Sequence, residues 1–155
     1  MTVPAAPESS RKAGMTLSLI ERFRDRLAVT PATPVVSLGE GSTPLLRADR
    51  LARAAGVREL WLKWEASNPT GSYKDRGMTV AVSKALEDGA EAVLCASTGN
   101  TAGSTAAYAA RAGLPAVVLT PQGAVAGAKL AQTRMLGATV LEVRGDFDQA
   151  LAAAQ

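Results

Sequence analysis

Apolar residues first recur at helical spacing near the start of the chain. Leu17, Ile20, Phe23 and Leu27 stand among Glu21, Arg22, Arg24 and Asp25, which predicts a short amphipathic helix. The stretch 30–44 holds three prolines and four glycine or serine residues and is expected to cross the surface as an extended loop. A second short helix is expected near 48–55, with Gly56 placed to end it. From Glu59 the pattern becomes regular: strand 59–65, helix 74–87, strand 92–96, helix 100–112, strand 116–119, helix 125–136 and strand 139–143. Gly89, Gly113 and Gly137 each follow a helical run just before the next strand, where a left-handed residue closes a helix.

Four strands alternating with helices predict an α/β fold, an open, parallel, twisted sheet with helices on both faces. Three regions are expected: a disordered tail over 1–14, N-terminal helices with a lead-in loop over 15–57, and an α/β domain over 58–155. Asp146 is predicted to cap a last helix running through Ala150 to Gln155, where the sequence halts inside an element rather than in a polar linker. The expectation is a domain truncated before its second half.

Composition changes this picture only by exclusion. The chain has 155 residues, 47% hydrophobic and 20% charged, a globular balance in a length that buries about 70% of the unfolded surface. The net charge of +3 comes from lysines and arginines scattered among acidic residues, which argues against nucleic acid as a partner. One cysteine, Cys95, forms no intramolecular disulfide, and a reducing cytoplasm is the expected compartment. The first fourteen residues lack the apolar core of a secretion signal. With no histidine, the commonest general base and metal ligand are missing; no metal site is expected, and chemistry falls to lysine, carboxylates, hydroxyls or a cofactor.

Two segments carry candidate chemistry, each predicted at a strand end where a helix opens. In Asn68-Pro69-Thr70-Gly71-Ser72-Tyr73-Lys74-Asp75-Arg76-Gly77, Lys74 stands at a helix start, where the macrodipole disfavours its charge. An ordinary lysine is neutral in about one molecule in a few thousand at pH 7, so an imine-forming lysine needs burial or a neighbouring cation, and Arg76 is a candidate for the latter. Taken alone, a lysine at such a position is usually a solvated side chain. In Ala96-Ser97-Thr98-Gly99-Asn100-Thr101, hydroxyls and an amide surround a glycine at a helix N-terminus, a natural nest for carboxylate or phosphate. Helix capping by Ser97 or Thr98 is the plainer reading of that segment. Two such loops at adjacent strand ends would face one crevice.

The run Asn68 to Gly77, the run Ser97 to Thr101, the spacing between Lys74 and Asn100, and Leu38-Gly39-Glu40-Gly41-Ser42-Thr43-Pro44-Leu45 resemble the fold-type II pyridoxal 5′-phosphate (PLP) enzymes of the tryptophan synthase β-like family, and within them the threonine synthases. The matching segments cover about residues 36–155 and correspond to the N-terminal half of that family. The resemblance implies that Lys74 carries PLP covalently and shuttles protons, that Asn100 hydrogen-bonds the 3′-oxygen of the pyridine ring, and that Ser97, Thr98 and Thr101 bind the carboxylate or phosphate of the substrate. Tyr73 departs from the phenylalanine usual before the lysine; Asp75 and Arg76 match and are taken as supporting residues. The implied activity is that of a carbon–oxygen lyase of threonine biosynthesis, converting O-phospho-L-homoserine and water to L-threonine and phosphate, in a cytoplasmic homodimer with no membrane partner. Threonine dehydratase, cysteine synthase and an inactive folded fragment remain as alternatives. The family's glycine-rich loop for the cofactor phosphate has no counterpart after Thr101, so the 155-residue chain alone is expected to hold PLP weakly and to be inactive.

Overall fold

The computed structural model describes residues 17–123 and 127–154; the tail expected over 1–14, the first residues of the helix expected over 125–136, and Gln155 lie outside them. The first amphipathic run forms α1 (Leu19–Phe23), continued by a 3₁₀ turn over Arg24–Arg26. Ser18 and Glu21 close a capping box at its start, which satisfies amide donors that the first turn leaves free. The helix buries Leu19 and Ile20 and leaves Leu17 exposed, a narrower apolar face than its spacing predicts.

The loop that follows lies against the domain. Val36 is buried with Val82 and Tyr108, its backbone carbonyl accepts from Thr79 Oγ1 at 2.6 Å and its amide donates to Ser83 Oγ at 3.0 Å. Earlier in the loop, Thr33 Oγ1 donates to Glu87 at 2.5 Å. An extended segment has no backbone ladder of its own, so side chains of the helix over residues 74–87 supply its partners.

The strand expected over 59–65 is corrected by the structure. Only Trp61–Lys63 is extended (β2), and it pairs antiparallel with Leu45–Arg47 (β1), Leu46 opposite Leu62, in a separate two-stranded ribbon. The intervening α2 (Asp49–Ala55) ends at Gly56 in the left-handed region at φ 67°, and this reversal returns the chain beside β1 rather than into the main sheet. Every residue of both strands is exposed, so neither face carries the burial of a central parallel strand.

The main sheet has three parallel strands in the order β3 (Val93–Ala96), β4 (Ala116–Pro121) and β5 (Thr139–Val143). Between them run α4 (Asn100–Ala112) and α5 (Gly127–Met135), preceded by α3 (Lys74–Glu87) and followed by α6 (Phe147–Ala152). Right-handed crossovers between successive neighbours put α4 and α5 on one face. Ala102, Ala106 and Ala109 of α4 pack there on Ala116 and Val118, joined by Val93, Cys95 and Val140. Small side chains on α4 let helix and sheet approach closely. Leu119 points to the other face by strand alternation, where α6 packs on β3 and β4. Asp146 and Gln149 form the capping box of α6. The helices thus cover both faces, as expected.

Val82 is 1% exposed and joins α3 to the loop and to Tyr108. Val82→Ala is predicted to cost about 2 kcal/mol through lost transfer energy and the cavity left behind. Urea unfolding should show a lower midpoint with an unchanged m-value.

Candidate active site

Lys74 opens α3 as its first helical residue, and Asn100 opens α4 as its first. The two helices pack on each other, and a buried carboxylate links the first turn of α3 to the second turn of α4. Asp75, fully buried, accepts from Thr70 N at 2.7 Å, from Thr70 Oγ1 at 2.5 Å and from Ser104 Oγ at 2.6 Å. Ser104 lies one helical turn beyond Asn100, so this bond ties the loop before Lys74 to α4 within about a turn of the Ser97–Thr101 segment. The route differs from the expected one. The Lys74 loop follows a strand outside the parallel sheet, and packing of α3 on α4, rather than adjacent strand ends, brings the two segments together.

A second set of bonds fixes the Lys74 loop from its other side. Arg76 donates in bidentate fashion to Glu65, at 2.8 and 2.9 Å, and to Thr43 Oγ1 at 3.1 Å. Asn68 donates to Glu65 at 2.9 Å and accepts from Gly41 N at 2.9 Å. Hydrogen bonds from Arg76, then from Thr43, hold the Glu65 carboxyl at about 2, against an ordinary value of 4.5. Arg76 is therefore committed to Glu65 and acts as an anchor rather than as the cation expected beside Lys74. Next to it, burial opposes the charge of Glu40, yet donors from its own backbone, Tyr108 and Leu38 outweigh burial and hold the carboxyl below its usual range. Burial, then the Glu40 partner 2.8 Å away, pushes the Tyr108 phenol well above its usual range.

Lys74 itself is half-buried and makes no ion pair with any described residue; its Nζ lies 5.2 Å from the centre of the Tyr73 ring. Ser97 Oγ accepts from Gly99 N and Ala102 N, both at 3.2 Å, so the capping reading is correct for Ser97, whose hydroxyl hydrogen stays available to a ligand. Thr98 and Thr101 are half-buried and Asn100 is exposed, and their side chains make no hydrogen bond among the described residues. A small recess joins Ser97, Thr98 and Gly99 to Thr120 of β4 and to Lys129 and Thr133 of α5. Lys129 is the charged member of that lining, and sequence reasoning gave it no role. Its helix position carries no motif, so only the fold reveals it. Burial raises the Cys95 thiol, which packs against the alanine-rich core between α4 and the sheet.

A lysine amine unpaired with carboxylates is available for carbonyl chemistry, and free helix amides with hydroxyls and a cation suit carboxylate or phosphate. The family described as "Pyridoxal-phosphate dependent enzyme" matches residues 36–155, and the chain belongs to it. Among curated proteins it is similar to threonine synthase of Halalkalibacterium halodurans, 51% identical over 133 residues, which are 86% of this chain and 37% of that protein. It is likewise similar to threonine synthase of a Synechocystis species, 53% identical over 150 residues, 96% of this chain and 38% of that protein. The chain thus spans less than two fifths of the length of these relatives. Its fold is similar to the processed form of threonine deaminase isoform 2 from Solanum lycopersicum, with a TM-score of 0.64, 29% identity, and coverage of 72% of this chain and 32% of that one. No helix among the described residues is long and apolar enough to cross a membrane, and no group of residues there could hold a metal ion.

The depressed Glu65 carboxyl fixes a pH dependence. A carboxylate with a lower pKa folded than unfolded contributes stability above the unfolded value and loses it as pH falls through the folded one. Glu65→Gln should therefore lower stability by about 1–2 kcal/mol at pH 7, a figure reduced for partial exposure. The gap from the parent should close between pH 4.5 and about 2. Urea midpoints at a series of pH values check this; a gap that stays constant would assign the loss to shape rather than charge.

Proposed function

We propose that the protein carrying this chain is a threonine synthase that uses PLP on Lys74 to convert O-phospho-L-homoserine and water to L-threonine and phosphate. The observation that carries this reading is the junction of two helix starts, one offering a lysine free of carboxylates and the other offering unbonded Thr98, Asn100 and Thr101. The names of relatives about 50% identical over most of the chain support it.

PLP, when bound, supplies an electron sink for charge developing on the substrate's α-carbon. The chain's own residues supply the rest. Lys74 would hold the cofactor aldehyde, and its amine would take and return protons at the substrate carbons. Asn100 would donate to the ring's 3′-oxygen. Ser97, Thr98 and Thr101, with the free amides of α4, bind the substrate carboxylate or phosphate. Lys129 adds a cation to the same recess, which favours a doubly anionic substrate over a neutral one. The cofactor phosphate contacts are not assigned to residues of this chain, whose glycines after Thr101 stand singly. Residues 15–57 serve as a lead-in to the α/β domain over 58–155, and the resemblance supports a homodimer in the cytoplasm.

Reduction of the full-length protein with PLP and borohydride should label Lys74, and not Lys63, Lys84 or Lys129. Lys74→Ala should abolish phosphate release and threonine formation from phosphohomoserine, and Thr101→Ala should chiefly weaken handling of that substrate. Ketoacid formation from threonine, with no turnover of phosphohomoserine, would move the protein to the dehydratase reading and overturn this one.

A further inference from the structure

Lys74, Asp75 and Arg76 leave α3 in three directions, as consecutive helical residues about 100° apart do. Arg76 reaches back to Glu65 and Thr43, Asp75 turns inward to the Ser104 hydroxyl, and Lys74 makes no ion pair among the described residues. Asp75 is the unusual member. Its carboxylate is fully buried and makes no ion pair among the described residues, and its bonds come from Thr70 and Ser104 only. A carboxylate in the first turn is favourable for any helix, but that benefit needs only an exposed side chain. Burial against a residue 29 positions away carries a desolvation cost that a helix start does not require.

We propose that Asp75 is a positioning residue for Lys74. By binding Thr70 on the preceding loop and Ser104 on α4, it holds the amine-bearing turn of α3 at a set distance from the Ser97–Thr101 segment, while leaving Lys74 unpaired. The inference rests on the reading of Lys74 as the cofactor lysine. Its geometry also explains why an acceptor is needed at position 75. Thr70 N cannot rotate away, so one oxygen must face it; the hydroxyls of Thr70 and Ser104 can rotate and either donate or accept. Asparagine therefore fits by reversing two bonds, its oxygen on Thr70 N and its amide on both hydroxyls. Alanine satisfies none of them.

The test measures the rate at which PLP with borohydride labels Lys74 in the full-length protein, beside kcat and KM for phosphohomoserine. Asp75→Ala and the pair Thr70→Val with Ser104→Ala should slow labelling about tenfold and lower kcat more than they raise KM. Asp75→Asn and Thr70→Ser should stay within about threefold of the parent. Val82→Ala, destabilised by a core cavity outside this network, should label at the parental rate, so a loss that merely follows stability is recognised. Ser104→Ala alone, slowed in labelling while still folded, carries the test if Asp75→Ala does not fold. Parental labelling rates in Asp75→Ala, Ser104→Ala and the Thr70→Val/Ser104→Ala pair, slowing in Asp75→Asn equal to that in Asp75→Ala, or equal slowing in Val82→Ala would overturn the proposal. Failure of the parent protein to label at Lys74 would instead overturn the reading of Lys74 itself.

Discussion

The candidate site depends on one buried carboxylate. Asp75 joins three pieces of chain that sequence separates, the loop at Thr70, the start of α3 and the start of α4. Removing a carboxylate from water costs several kcal/mol unless donors replace its hydration, and here two hydroxyls and a backbone amide do so. Such charge-assisted bonds are short and directional. The requirement that all be made together leaves α3 little freedom to slide along α4, and this holds the two candidate segments in one place.

The Arg76–Glu65 pair performs the matching task on the opposite side. It ties the turn of α3 to the 3₁₀ turn at Glu65–Ser67, and through Thr43 and Asn68 to the glycine-serine loop. That loop bends at Gly41 with φ 87° and at Ser42 with φ 47°, a conformation uncommon for serine. A Cβ on Gly41 would lie 3.3 Å from Arg76 Nη1, so the small residue there permits the arginine to reach Glu65. The loop motif and the arginine thus fit together sterically as well as through hydrogen bonds.

Much of this was legible in the chain. Pattern located α3, α4, β3, β4 and β5 to within a residue or two, because Gly89, Gly113 and Gly137 mark where each helical run ends just before an apolar strand. Strand partnership was not legible. The Trp61–Lys63 run reads like any short strand, and nothing in its spacing says that it pairs with Leu45–Arg47 rather than with β3. The candidate site was visible as two motifs, yet their connection was not. Asp75 to Ser104 and Glu40 to Tyr108 are contacts between residues 29 and 68 positions apart, and local pattern carries no record of such pairs. Lys129 was missed for the same reason, since only the crossing of α5 beside the Ser97 segment gives it meaning.

The central claim is that the starts of α3 and α4 form one cofactor site. A crystal structure of the full-length protein after PLP is fixed by borohydride tests it most directly. The expected result is continuous density from Lys74 Nζ to the cofactor ring, with the Asn100 amide against the ring's 3′-oxygen and Asp75 still bonded to Ser104. A ring attached to another lysine, or one lying away from the Ser97–Thr101 segment, would contradict it.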